Sequence, residues 1–404
     1  MEQPYRLKPG LHTLKRVREN ICSSLNEVCL KSQCHGPMKP DNNDPNRRTF
    51  VKTVATASAA LALTGPAVAQ SLVVSQPEKK IRLGFDNFSV RAMGWKADAL
   101  LDYAASLKLD SILISDLGAY ENYTEPYLKG IKAKAEGLGI LIHAGTWSIC
   151  PTSKFFKNMW GTAEEHLTLG IQVARTLGSP VLRVILGMGD DRKTDGGIEA
   201  RIADTVKVLK KVRSQAVDAN VKIAVENHAG DMQAWELVTL IEAAGKDFVG
   251  ATLDSGNACW TLEDPRESLE ILGPYTLSTG VRDSMVWEYA DGAKVQWTAI
   301  GDGLVDWKAY FQRFAELCPG VPANLEIISG LARDYPYLKP DFWQIYPKAR
   351  ARDFAKFVAM AKRGHAVESH RSPDNKAEQE WQKSELERSL KYCKETLGLG
   401  LKGM

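Results

Sequence analysis

The chain has 404 residues, 44% hydrophobic and 25% charged, which is the composition of a folded globular protein. Glycine (32), proline (18) and cysteine (7) are near ordinary usage, excluding collagen-like, disordered and disulfide-scaffold classes. The formal charge of +3 comes from residues 1–69 (10 Lys/Arg, 5 Asp/Glu); the rest, with 42 basic and 44 acidic groups, lacks the footprint of a nucleic-acid partner.

The first element in chain order is a leader. Arg47-Arg48-Thr49-Phe50-Val51-Lys52 precedes a charge-free run over 53–64, followed by Ala67-Val68-Ala69. A basic start, an apolar run of about a dozen residues and a small-x-small site form a secretory signal. The run is shorter than the roughly 20 residues of a membrane span, so no stable span is expected after processing. Two arginines before Phe and Lys resemble a twin-arginine signal. That implies the export machinery as a partner, cleavage near Ala69 and a periplasmic or secreted product. Upstream, Cys22, Cys29 and Cys34 have no zinc-site spacing, and Met38 reads as the plain translation start. Residues 1–69 are thus upstream segment and signal, and 70–79 a linker. Cys150, Cys259, Cys318 and Cys393 read as buried thiols.

From Lys80 onward, short β-rich runs alternate with helix-period stretches. Strands are expected at 81–85, 111–115, 140–144, 181–185, 221–226, 249–254, 276–282 and 323–327. Helices are expected at 97–107, 124–136, 163–176, 198–218, 232–244, 265–272, 307–317 and 348–362. Eight strand–helix units predict a single-domain (β/α)8 TIM barrel over 80–365. A doubly wound sheet would need a glycine-rich turn after the first strand, where Asp86-Asn87-Phe88 stands instead. Residues 366–404 are a charged tail with a helix over 376–396. A solvated helix is the favoured reading, with cover for the barrel's outside or a homo-oligomer contact left open.

A barrel places its reacting groups at the C-terminal ends of its strands. Strand five ends Glu226-Asn227-His228, strand six Asp254-Ser255-Gly256-Asn257, and strand eight Leu325-Glu326. Three carboxylates converging on one rim would repel one another, and one divalent cation resolves this. Oxygen ligation favours Mn²⁺ or Mg²⁺, while an added imidazole would admit Zn²⁺ or Co²⁺.

These residues, with Arg282-Asp283 and the segment Gly301-Asp302-Gly303-Leu304-Val305-Asp306-Trp307, resemble the xylose-isomerase-like barrel family of sugar phosphate isomerases and epimerases. The resemblance covers about 80–365 and implies Glu226, Asp254 and Glu326 as metal ligands. It also implies a histidine three residues before Asp283, where this chain has Gly280. Either water completes the site or another group moves in, and Gln296 in an inserted loop offers a carbonyl oxygen.

The expected substrate is a small unphosphorylated keto-sugar. The ion would polarise its carbonyl, Glu226 and Glu326 would act as base and acid, and His228 is a further candidate acid. Asn257 and Arg282 are assigned to substrate binding, with an Arg282–Asp283 pair as the plainer alternative. Phe88, Trp147 and Trp260 follow strand ends and offer aromatic faces to a sugar ring. Elimination from an oxidised glycoside by a metal-dependent lyase is the runner-up. A non-catalytic sugar-binding barrel remains the third reading. A DNA-repair endonuclease of the same barrel type is set aside, since only five histidines follow residue 69 and the body is near-neutral.

Overall fold

The computed structural model describes residues 80–403; the leader, its cysteines and the linker lie outside the described residues. The strands are β1 (Leu83–Asp86), β2 (Ser111–Ile114), β3 (Leu141–Ser148), β4 (Val181–Ile185), β5 (Lys222–Glu226), β6 (Val249–Asp254), β7 (Thr276–Gly280), β8 (Asp283–Tyr289), β9 (Gly292–Thr298), β10 (Ala323–Leu325) and β11 (Ala332–Tyr335). Eight of them form one parallel sheet in the order β10-β1-β2-β3-β4-β5-β6-β7. Val281 N–H donates to the Asn324 carbonyl at 2.8 Å, and Glu326 N–H donates to the Val281 carbonyl at 3.0 Å. These bonds join the seventh strand to the last, and the sheet closes into the expected TIM barrel.

The outer layer comprises α1 (Ala97–Ser106), α2 (Glu125–Gly137), α3 (Ala163–Leu177), α4 (Gly197–Asp218), α5 (Ala234–Ala244), α7 (Pro265–Leu272) and α8 (Trp307–Leu317), with the short α6 (Ser255–Trp260) between β6 and α7. Local chemistry sets their ends. Thr162 and Glu165 form a reciprocal capping box at the start of α3, and Gly178 ends it with φ +73°.

Side-chain alternation divides each strand between two environments. Leu83, Phe85, Ile112, Leu182, Val184, Ile223, Val225 and Leu253 join the main apolar core. The alternate positions point into the barrel and are largely polar. Ser111 Oγ donates to Asn324 Oδ1 at 2.7 Å, and His143 Nδ1 lies 2.8 Å from Ser278 Oγ. The same alternation aims Asp86, Arg183, Glu226 and Asp254 inward.

Two parts differ from the sequence expectation. The inserted loop after strand seven is a hairpin of β8 and β9, extended by β11 into a three-stranded antiparallel sheet. The helix expected at 348–362, α9 (Ala351–Ala361), packs on this sheet: Phe357 and Met360 join Val286 and Val295 in a second core. The tail is not a solvated helix. α10 (Asn375–Glu395) buries Leu386, Leu390 and Cys393 in the main core. Gln382 accepts from Ala92 N–H at 2.9 Å, and Tyr103 donates to Glu387 at 3.0 Å. It therefore takes the position of the barrel's eighth outer helix, beside α1.

Candidate metal centre

Glu226 closes β5, Asp254 closes β6 and Glu326 follows β10. All three are buried, and each offers a carboxylate oxygen within 4.8 Å of the others. Backbone chemistry fixes Asp254: it caps α6 by accepting from Asn257 N–H at 2.7 Å, and its own N–H donates to Asn227 Oδ1 at 2.9 Å. Asn257 Nδ2 donates to Glu226 Oε1 at 3.1 Å, which ties the second ligand to the first.

Two buried arginines enter the same space. Arg183 Nε donates to Glu226 Oε2 at 2.5 Å and its Nη1 to the Thr146 carbonyl at 3.1 Å. Arg282 Nη2 bonds Asp254 Oδ2 and also Glu326 Oε2, the latter at 2.5 Å. Burial alone would lower the Arg282 guanidinium, but the charges of Asp254, Glu326 and Glu226 hold it above its ordinary value. Among the described residues its Nε and Nη1 have no hydrogen-bond partner. Arg282 does not pair with Asp283. The Asp283 carboxylate instead accepts from the N–H groups of Gly301, Gly303 and Val305 and from Trp307 Nε1 at 2.7 Å. That is why the Gly-x-Gly-x-Val-Asp-Trp segment needs its second glycine: a Cβ on Gly303 would stand 2.1 Å from Asp283 Oδ1.

Gly280 explains how Arg282 reaches the carboxylates. A Cβ at position 280 would stand 3.0 Å from both Asp254 Oδ2 and Glu326 Oε2. With no side chain there, the guanidinium from two residues onward fills the space. Gln296 does not fill it. Its Nε2 donates to the Glu368 carbonyl at 3.2 Å, and along β9 it alternates with Trp297, whose indole donates to Gly256. Trp297 is on the barrel side and Gln296 on the other.

His228 is held by its loop. Nδ1 faces the Gly187 carbonyl at 2.7 Å and is therefore the protonated nitrogen, and the backbone N–H donates to Asp231. Burial, then the Arg183 charge, pulls its pKa down to about 3. The ring is neutral, and its Nε2 is an acceptor rather than the acid expected from sequence. Trp147 meets His228 edge-on at 5.8 Å, Trp260 stacks on Trp297, and Phe88, half-exposed, lies beneath Arg91.

Sequence reasoning missed two inward-facing groups. Arg183 was legible as a lone charge between Leu182 and Val184. Asp86 accepts from Ser115 Oγ at 2.6 Å and from Phe88 N–H at 2.8 Å, while its Oδ2 is unpartnered. Burial, reinforced by Glu326, pushes it up to about 8. Three carboxylates face two guanidinium groups. The all-oxygen donor set of Glu226, Asp254 and Glu326 fits a divalent cation, provided Arg282 withdraws.

The closed parallel barrel with carboxylates at its C-terminal rim defines a class, and the sequence places the chain within it. Residues 101–339 match the Xylose isomerase-like TIM barrel family, and the chain belongs to that family. It is 22% identical over 221 residues to the 3-oxo-isoapionate decarboxylase of Pectobacterium atrosepticum, covering 53% of this chain and 71% of that protein. Among solved structures it is similar to L-ribulose 3-epimerase (16% identity, 79% of this chain and 97% of that one, TM-score 0.49). It is also similar to IolI with a bound zinc atom (15% identity, 71% and 100%, TM-score 0.49).

Proposed function

We propose that the protein is a metal-dependent sugar isomerase or epimerase acting on an unphosphorylated keto-sugar. The observation that carries this reading is the convergence of Glu226, Asp254 and Glu326 within 4.8 Å, inside the barrel mouth. These three would hold one divalent ion, which when bound supplies Lewis-acid polarisation of a sugar carbonyl. Glu326 would remove the proton from the carbon beside that carbonyl, and Glu226, on the opposite side of the mouth, would return one to the other face. Arg183 orients Glu226. Arg282 has two free donors for a substrate oxygen once it leaves the carboxylates, and Asn257 positions Glu226 for the transfer.

A second reading is a lyase or decarboxylase acting on an oxidised sugar. Gly280 with Arg282 in the fourth-ligand space favours it, as does the similarity to a 3-oxo-isoapionate decarboxylase. Both begin with the same proton or bond loss next to a carbonyl. Turnover of a keto-sugar in D₂O tests the first reading: deuterium should enter the carbon next to the carbonyl with the product otherwise unchanged in mass. Turnover without solvent exchange overturns the proton-transfer scheme, and loss of CO₂ or a leaving group selects the second reading. A purified protein that holds no divalent ion would support the binding role instead.

A further inference from the structure

Beside the triad, residues 188–190, residues 229–230, Trp260 and β11 line an open cavity of about 550 Å³. Its charges are almost balanced. Lys193 pairs with Asp190 at 2.9 Å, and Asp334 with Lys294 at 3.1 Å. Arg333 is the exception: among the described residues it makes no ion pair, and its guanidinium lies 3.6 Å over the Trp260 ring. Stacking holds a guanidinium in place while leaving its in-plane donors free for a planar anion.

Two further observations point to a ligand. Trp260 is 4% exposed and lines the cavity, yet among the described residues its indole N–H has no acceptor. A buried donor without a partner is costly, and a ligand oxygen would relieve it. The cavity is also joined to the catalytic centre by stacking. The other face of Trp260 lies 3.6 Å from Trp297 at 7°, and the Arg282 guanidinium lies 4.2 Å over Trp297. Two indoles are thus sandwiched between two guanidinium groups, one at the triad and one in the cavity.

We propose that this cavity is a subsite for a carboxylate carried by the group attached to the reacting sugar, a uronic-acid ring or an acidic aglycone. Arg333 takes the carboxylate and the Trp260 N–H takes a further oxygen. Because two indole thicknesses separate Arg333 from Arg282, the acid is carried beyond the carbons that react. The inference rests on the sugar reading of the triad and adds the class of its substituent.

The test is binding to the full chain, followed by tryptophan fluorescence and calorimetry, with D-glucuronate, D-galacturonate and their methyl esters as probes. The wild type should bind the acids at least tenfold more tightly than the esters. Arg333→Gln should collapse that ratio towards one, and Arg333→Lys should restore part of it. Trp260→Phe, which keeps the stack and removes the donor, should weaken the acids several-fold. Equal binding of acids and esters, no binding of either, or an unchanged ratio in Arg333→Gln overturns the subsite. Metal content and keto-sugar turnover of the same wild-type preparation report separately on the triad.

Discussion

The Arg282 guanidinium sits 2.5 Å from Glu326 Oε2 and bonds Asp254 with the same nitrogen. A side chain therefore occupies the space that a divalent ion bound by these carboxylates would need. Arg282→Met removes the competing cation, so Mn²⁺ affinity measured by calorimetry should rise at least tenfold. Without metal, the variant leaves buried carboxylates uncompensated. Its stability should fall by about 3–5 kcal/mol and be recovered on adding Mn²⁺. Equal metal affinity in variant and wild type would show that Arg282 is not a competitor.

Glu326 and Asp254 should separate by role. Glu326→Gln keeps an oxygen ligand and nearly the same shape but removes the base. Turnover should drop by roughly 10²–10⁴-fold with most of the metal retained. Asp254→Ala should lose the metal itself. Metal content measured alongside rates decides between these outcomes and a purely structural triad.

Acid stability should depend on His143. It is buried in the barrel against Ser278, and burial, then the Arg82 charge, holds its pKa down to about 4 from the ordinary 6.5. The folded state therefore prefers the neutral ring. Its contribution is complete above pH 6.5 and is lost as pH falls through about 4, by roughly 3 kcal/mol in the limit. Thermal midpoints should fall between about pH 7 and 4, and His143→Gln should fall less steeply by close to one proton.

The tail helix should behave as core. Leu386 is fully buried in the main cluster, so Leu386→Ala should cost about 2–5 kcal/mol in denaturant unfolding. A change within experimental error would return α10 to the status of a solvated appendage.

Export is tested on the leader alone. Arg47→Lys combined with Arg48→Lys should abolish delivery to the periplasm without altering the fold, and the mature chain should begin near Gln70. Undiminished periplasmic protein from that double variant would rule out the twin-arginine route.

Strand positions were largely legible because a buried parallel strand must be an apolar run, and the triad was legible because each carboxylate ends such a run. Side-chain direction was not. Asp283 and Arg282 are adjacent and opposite in charge, yet backbone alternation sends one to a loop and the other to the triad. The hairpin was signalled by Asp291-Gly292 between Val286-Trp287-Glu288-Tyr289 and Lys294-Val295-Gln296-Trp297, a turn pair flanked by β-rich runs. The eight-unit count hid it, since helix 348–362 already supplied an eighth helix. The true eighth helix carries so many charges that its buried face, Leu386, Leu390 and Cys393, is a narrow stripe in a polar sequence.

The last residues are sewn to the first strand. Gly400 N–H donates to the Ile81 carbonyl at 2.9 Å. Leu401 N–H donates at 2.8 Å to the Asp110 carboxylate oxygen that also receives Leu83 N–H, and Lys402 reaches the Leu109 carbonyl at 2.7 Å. These contacts join segments far apart in the sequence, with partners 291 positions apart. Until residues 375–402 have been synthesised, the first strand lacks this clamp and α1 lacks its neighbour. Docking of this segment is a late, long-range event, slow in the manner of high-contact-order folds. Removing residues 400–402 should therefore raise protease sensitivity at the start of β1, while the β1–β10 pairing still closes the sheet.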